Sequence, residues 1–241
     1  MKRVLAVVFL LSLLGNIGLL WFGKQQYQQV NAIRLDPLQL AVYPQVTAAK
    51  TPGIRRVVFY GDSRALGWPA PLVDKVEFLN RGIGQQTSEQ VRLRFQQHVA
   101  SLQASLVVVQ MCVNDLKTIP LFPQRRDEIV ASCKSHLADV IRMARATGSE
   151  VLLTTVFPLG KFPERWLVWS DAVAPAVQEV NRFILAQVGA GVSVLDAFSL
   201  LQDEKGQVQP DYSRDLLHLN ARGYEVLNTA LSTWLMQHQW Q

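Results

Sequence analysis

Cysteine is scarce: the 241 residues include two, Cys112 and Cys133, and no C-x-x-C pair. That excludes a disulfide-built scaffold, a zinc ribbon and a thioredoxin-like dithiol site. Whether the two bridge depends on a geometry that sequence does not give. The simpler reading, adopted here, is a pair of small buried hydrophobes. Histidine is nearly as rare, at four. His98, His136 and His238 fall on helix-like stretches without ligand spacing and read as surface or packing residues. Charged residues make up 18% of the chain against 49% hydrophobic, which excludes a disordered protein. The net charge of +5 is scattered in short pairs such as Arg55-Arg56 and Arg125-Arg126. No basic stripe forms, and nucleic-acid binding is not expected. There is no internal repeat, so a solenoid is excluded.

One long uncharged run is present. Val4 to Phe22 follows Lys2-Arg3 and is closed by Lys24. As a helix it would span about 28 Å, close to the roughly 30 Å of a bilayer core. Its exit, Leu19-Leu20-Trp21-Phe22-Gly23-Lys24, has no small-x-small cleavage site, and Trp21 suits a membrane interface. Residues 1–23 therefore read as an uncleaved signal-anchor crossing the cytoplasmic membrane once. The positive flank stays inside and the rest of the chain is extracytoplasmic. The alternative is a cleaved signal and a secreted or periplasmic product. Residues 24–53 read as a linker or stalk. Its polar start can extend the membrane helix, and Asp36-Pro37 disfavours continuation.

Residues 54–241 alternate strand-like and helix-like runs, which argues for a parallel sheet covered on both faces, a three-layer α/β domain. The strands are expected at 57–60, 76–79, 106–109, 151–156 and 192–195. Helices are expected at 87–99, 123–147, 171–188 and 220–238, the last capped by Asn220. Of the tryptophans outside the anchor, Trp68, Trp234 and Trp240 are explained by packing; Trp166 and Trp169 follow the fourth strand and are candidate pocket-lining residues.

Four stretches fall where parallel strands should end, and so on one edge of the sheet. The first strand runs into Gly61-Asp62-Ser63, a turn that lifts a hydroxyl out of the strand end. The second runs into Asn80-Arg81-Gly82-Ile83-Gly84-Gln85-Gln86-Thr87, and the third into Cys112-Val113-Asn114-Asp115. Asp215-Leu216-Leu217-His218 precedes the last helix. A hydroxyl, an Asp/His pair and hydrogen-bond donors are what acyl transfer needs.

In these four blocks and their order the chain resembles the SGNH, or GDSL, hydrolases, over roughly residues 55 to 238. The resemblance implies a flavodoxin-like fold, with Ser63 as nucleophile, His218 as general base and Asp215 as its orienting acid. It implies an oxyanion hole from the backbone N–H of Ser63, a backbone N–H of the Gly84–Gln85 turn, and the side-chain amide of Asn114. Two positions depart from the family pattern. Gln85 and Cys112 stand where the family usually has glycine. A glutamine still offers its N–H, but at positive φ it costs about 1–2 kcal/mol; Cys112 adds a side chain beside the site.

The function implied is a membrane-anchored serine esterase or acylhydrolase, acting on lipid esters or O-acetylated carbohydrate through an acyl-enzyme on Ser63. No cofactor is implied. Asp215 and His218 lack a third ligand at suitable spacing, so no metal centre is expected. Two other readings use the same fold. One is a non-catalytic envelope binding or assembly module, with Gln85 and Cys112 as signs of decay; the other is an acyltransferase using the same site. Oligomeric state is not encoded in any motif.

Overall fold

A strand inside a parallel sheet is covered on both faces, and runs such as Val57–Tyr60 and Leu106–Val109 are apolar on both. The structure, a computed structural model, describes residues 1–43, 51–161 and 172–238. It sets those two runs side by side in a five-stranded, wholly parallel sheet. The strands are β1 (Arg55–Gly61), β2 (Val76–Gly82), β3 (Leu106–Gln110), β4 (Glu150–Thr154) and β5 (Val192–Leu195). Their spatial order is β2-β1-β3-β4-β5. In register, Val57 faces Phe78 of β2 and Leu106 of β3, and Gly61 faces Gly82 and Gln110. The chain leaves β1 toward one edge and returns to β3 on the other side of it. That reversal is the topological switch point, where open α/β sheets hold their ligands.

The helices, in chain order, are α1 (Lys2–Leu35), α2 (Ser63–Leu66), α3 (Ser88–Leu93), α4 (Phe95–His98), α5 (Val113–Leu116), α6 (Arg126–Ala146), α7 (Val173–Leu185), α8 (Ala197–Leu201) and α9 (Ala221–Gln237). Alternate strand residues feed two separate cores. Val58, Tyr60, Val107, Val109, Val151 and Leu153 pack with Val91 and Phe95, and with the α6 stripe Val130, Cys133, Leu137 and Val140. Val57, Phe59, Leu106, Val108 and Leu152 pack on the other face with Leu227, Leu231 and Leu235 of α9. Trp68 is buried there, stacked on Phe59 at 5.1 Å, with its Nε1–H donating to Asn228 Oδ1 at 2.7 Å.

Contacts divide the chain into two units, Met1–Leu40 and Ala41–Gln241. In the first, α1 has 34 residues, about 51 Å of helix, and buries none of its residues. It is long and apolar enough to cross a membrane. It continues past the apolar run and stops at Leu35, before the Asp36-Pro37 pair. In the second unit, Tyr43 donates its hydroxyl to the Gly82 carbonyl at 2.5 Å, under the Arg81 guanidinium at 4.8 Å.

The sheet and long helices lie where sequence puts them, with several corrections. The helix expected over 87–99 is broken at Arg94 (φ −89°, ψ 2°). There the fully buried guanidinium donates to the Arg81 and Gly61 carbonyls, each at 2.8 Å, and to Gln86 Oε1. Those bonds fix the side chain across the sheet edge, and the helical ladder gives way. The fourth strand ends at Thr154, two residues early. The Thr155 N–H still donates to the Leu195 carbonyl at 3.2 Å, but its Oγ1 turns to Asp196 at 3.0 Å and the Val156 N–H goes to Asn181 Oδ1 at 2.7 Å, where a side chain takes over from the ladder. The two cysteines are not free: Cys112 and Cys133 form a disulfide, with 5.8 Å between Cα atoms. Trp166 and Trp169, the start of the helix expected at 171, and Trp240 lie outside the described residues.

Candidate active site

Gly61 ends β1 at φ 151°, and a side chain there would run into the Gln110 carbonyl of the neighbouring strand. Only glycine permits that approach. Asp62 then caps the one-turn helix α2, its Oδ1 accepting the Arg64 N–H at 2.9 Å, and Ser63 sits at the first helical position. The turn is packed from below by Gly82, where a Cβ would collide with the backbone of Leu66.

The Asp215–His218 loop folds on its own carboxylate. Asp215 Oδ1 accepts the N–H groups of Leu217 and His218, both at 2.8 Å, a local turn that short polar side chains favour. It also faces the imidazole: His218 Nδ1 lies 2.9 Å from each Asp215 carboxylate oxygen. Burial alone would raise the Asp215 carboxyl. The two backbone donors and the imidazole outweigh it and bring the group down to about 2. A carboxylate cannot donate, so Nδ1 carries the hydrogen. The other ring nitrogen, Nε2, is then free to accept, and it lies 2.9 Å from Ser63 Oγ.

The remaining residues close on the same point. Gly84 borders the serine, for a Cβ built on it would stand 3.9 Å from Ser63 Cβ. Gln85 follows at φ 66°, in the left-handed region, with its side chain exposed. Asn114 stands in α5, beyond β3 and across the switch point from Ser63. It is 4% exposed, and one amide hydrogen goes to the Gln86 carbonyl at 3.0 Å. The amide has a second hydrogen to give. Cys112 also has positive φ, at 90°. Its side chain, expected beside the site, is fully buried and bonded to Cys133 of α6. A cavity of about 300 Å³ opens beside Ser63 and His218, bounded by Gly67, Pro69, Leu219 and Tyr224.

Sequence reasoning passed over the charges under this site. Asp62 is buried, and burial pushes its carboxyl up to about 6, against the pull of Arg64 and of its own backbone bond. Arg64 is equally buried. Burial brings its guanidinium down to about 10, against the attraction of Asp62, Tyr224 and Asp215. The available signal was an arginine directly after a strand-ending turn, a position that the fold covers.

The arrangement holds a hydroxyl, an imidazole turned to accept its proton, a carboxylate that fixes the imidazole, and donors from three loops. That is chemistry for acyl transfer. The fold is found in solved structures of low identity. A GDSL-like lipase from Bacteroides thetaiotaomicron is 22% identical, with a TM-score of 0.62 over 85% of this chain and 97% of that one. A lipase/acylhydrolase from Enterococcus faecalis is 20% identical, with a TM-score of 0.57 over 77% and 97%. A catalytic mutant of an acetylxylan esterase from Geobacillus stearothermophilus is 13% identical, with a TM-score of 0.54 over 76% and 94%. No curated protein sequence matches the chain. The match that decides the matter is to the GDSL-like lipase/acylhydrolase family, and since it runs over residues 47–226, the chain belongs to that family of ester-bond hydrolases.

Proposed function

We propose that Ser63, His218 and Asp215 form the catalytic triad of an extracytoplasmic, membrane-anchored esterase. The observation that carries the assignment is the unbroken chain of 2.9 Å contacts from Ser63 Oγ through the imidazole to Asp215. Ser63 Oγ attacks the ester carbonyl as His218 Nε2 takes its proton, with the charge on the ring met by ionised Asp215. The carbonyl oxygen becomes an oxyanion, received by the N–H groups of Ser63 and Gln85 and by the free amide hydrogen of Asn114. The imidazolium returns the proton to the leaving alcohol, which departs and leaves the acyl-enzyme. Water, deprotonated by His218, then attacks the acyl carbon. Collapse releases the acid and restores Ser63. One oxyanion donor is usually worth about 10²–10³ in turnover.

Two observations support the placement. Lys2-Arg3 precede an apolar helix of membrane-spanning length, and disulfides such as Cys112–Cys133 persist in oxidising compartments. An enzyme so placed meets envelope esters, such as lysophospholipid or O-acetylated polysaccharide. The cavity beside Ser63, about 300 Å³, has room for an acyl group. The test is a p-nitrophenyl ester series with detergent-solubilised full-length protein and its Ser63→Ala variant. Turnover should be measurable in the parent, with the series reading out its chain-length profile, and vanish in the variant. Activity in folded Ser63→Ala would sink the triad.

A further inference from the structure

Arg64 is the largest charged group under the nucleophile, and it is 0% exposed. A buried guanidinium is costly, and an apolar side chain of similar size would fill the space without that cost. Its bonds indicate what it does there. Nε donates to the Leu217 carbonyl at 2.8 Å, and Nη1 to the Phe157 carbonyl at 3.2 Å. The guanidinium lies over the Phe157 ring at 5.2 Å. Its own backbone is held from both sides: the N–H by Asp62 Oδ1, and the carbonyl by the Tyr224 hydroxyl at 2.9 Å. One side chain thus joins three separate pieces of chain. These are the residue next to the nucleophile, the segment beyond β4, and the residue just before His218.

Asp215 and Arg214 are exposed; the His218 loop is shaped by its internal bonds and tied to the segment beyond β4 by one backbone bond, from the Gly160 N–H to the Leu216 carbonyl at 2.9 Å. Those bonds do not join it to the turn of helix that carries Ser63; the Arg64 side chain does. The partner of His218 across the site, Ser63, sits on a helix of a single turn. The 2.9 Å reach from Ser63 Oγ to His218 Nε2 therefore depends on how two small elements are held against each other. A fork donating to fixed carbonyls suits that task, because its two N–H directions are rigid relative to one another. We infer that Arg64 is a positioning residue that sets the register of His218 on Ser63 by clamping the Leu217 and Phe157 carbonyls. This rests on the assignment of Ser63 and His218 made above.

Arg64 touches neither substrate nor reacting atoms, so its loss should lower kcat and leave KM in place. Arg64→Met alone would strand the buried Asp62 charge and risk unfolding. The decisive chain is therefore the full-length double variant Asp62→Asn/Arg64→Met, in which both charges go and the cap oxygen stays. With p-nitrophenyl acetate its kcat should fall by about 10²-fold, the usual cost of an ångström of misplacement, with KM within about threefold. Labelling of Ser63 by a serine-directed phosphonate should slow in parallel. Arg64→Lys keeps the charge and one donor and should recover part of the loss. The inference is overturned if the folded double variant keeps its kcat, if KM alone rises, or if Arg64→Lys loses as much as the double variant. If the double variant does not fold, an unimpaired kcat in Arg64→Lys overturns the inference, and a reduced kcat at unchanged KM sustains it. Ser63→Ala run alongside separates the two failures. Should it retain activity, the triad assignment falls; should it be inert while the Arg64 variants are fully active, only the clamp falls.

Discussion

Removing the Cys112–Cys133 bridge should perturb stability and the proposed oxyanion side of the site together, and the two can be read apart. The bridge joins the turn after β3 to the buried stripe of α6, across a sequence separation of 21. In the chain-entropy treatment, closing a loop of that length removes about 11 cal/mol/K from the unfolded chain, or about 3 kcal/mol at 25 °C. Cys112→Ser/Cys133→Ser should therefore lose about 3 kcal/mol in urea unfolding, or roughly 6–12 °C in Tm for a domain of this size. Cys112 is also held at φ 90°, where a residue with a Cβ is disfavoured by about 1–2 kcal/mol. A glycine relieves that strain but adds about 0.5–1 kcal/mol of unfolded-state freedom. Cys112→Gly/Cys133→Ser should accordingly be slightly more stable than the double serine. It should also keep more turnover, since Asn114 lies two residues on. Urea titration of the full-length variants, with kcat on p-nitrophenyl acetate, measures both. A double-serine loss below about 1 kcal/mol would refute the loop-entropy argument. A glycine variant less stable than the serine one would refute the strain argument.

Gln85→Ala should change kcat little, because the side chain is exposed, whereas Asn114→Ala should cost about 10²–10³. Damage from Gln85→Ala equal to that from Asn114→Ala, in folded protein, would assign a role to the glutamine side chain. Asp62 has its folded carboxyl raised to about 6 by burial, so the stability it contributes is whole below its unfolded value near 4 and is lost as pH rises through about 6. Asp62→Asn lacks that slope; urea stabilities should show the variant gaining on the parent between about pH 4 and 7, and a constant difference would contradict the assignment. A periplasmic reporter fused after residue 241 should be active and a cytoplasmic one silent, with the N-terminus retained in a membrane fraction that survives a salt wash. A soluble product beginning near Lys24 would make the segment a cleaved signal instead.

The sheet was legible because its strands are apolar on both faces and end in turn residues; the side-chain period and Gly61 carry that information locally. The blocks at 61–63, 80–87, 112–115 and 215–218 could be placed together because parallel strands end on one edge. What sequence hid was long-range. The break at Arg94 depends on carbonyls of Gly61 and Arg81 from two other strands, and no helical periodicity encodes them. Cys112 and Cys133 looked like two hydrophobes, since their pairing is a distance across α5 and α6. Arg64 was passed over, since only the packing of α9 and of the segment after β4 buries it.

The two departures from glycine share one physical logic. Gln85 and Cys112 are both left-handed, at φ 66° and 90°, and they lie on the two loops proposed to offer oxyanion donors besides that of Ser63. Residues with a Cβ persist in such conformations where their surroundings over-determine them. Each of these is flanked by an anchor. Cys112 is tied covalently to α6. Gln85 is followed by Gln86, whose side chain accepts from buried Arg94 and whose carbonyl accepts from Asn114. That last bond links the two strained loops directly, so a shift in one moves the donor on the other. A glycine at either position would relax the backbone at the cost of freedom in the loop. The chain keeps side chains there and holds them by a disulfide and a guanidinium, which makes the donor geometry depend on residues well outside the four motifs.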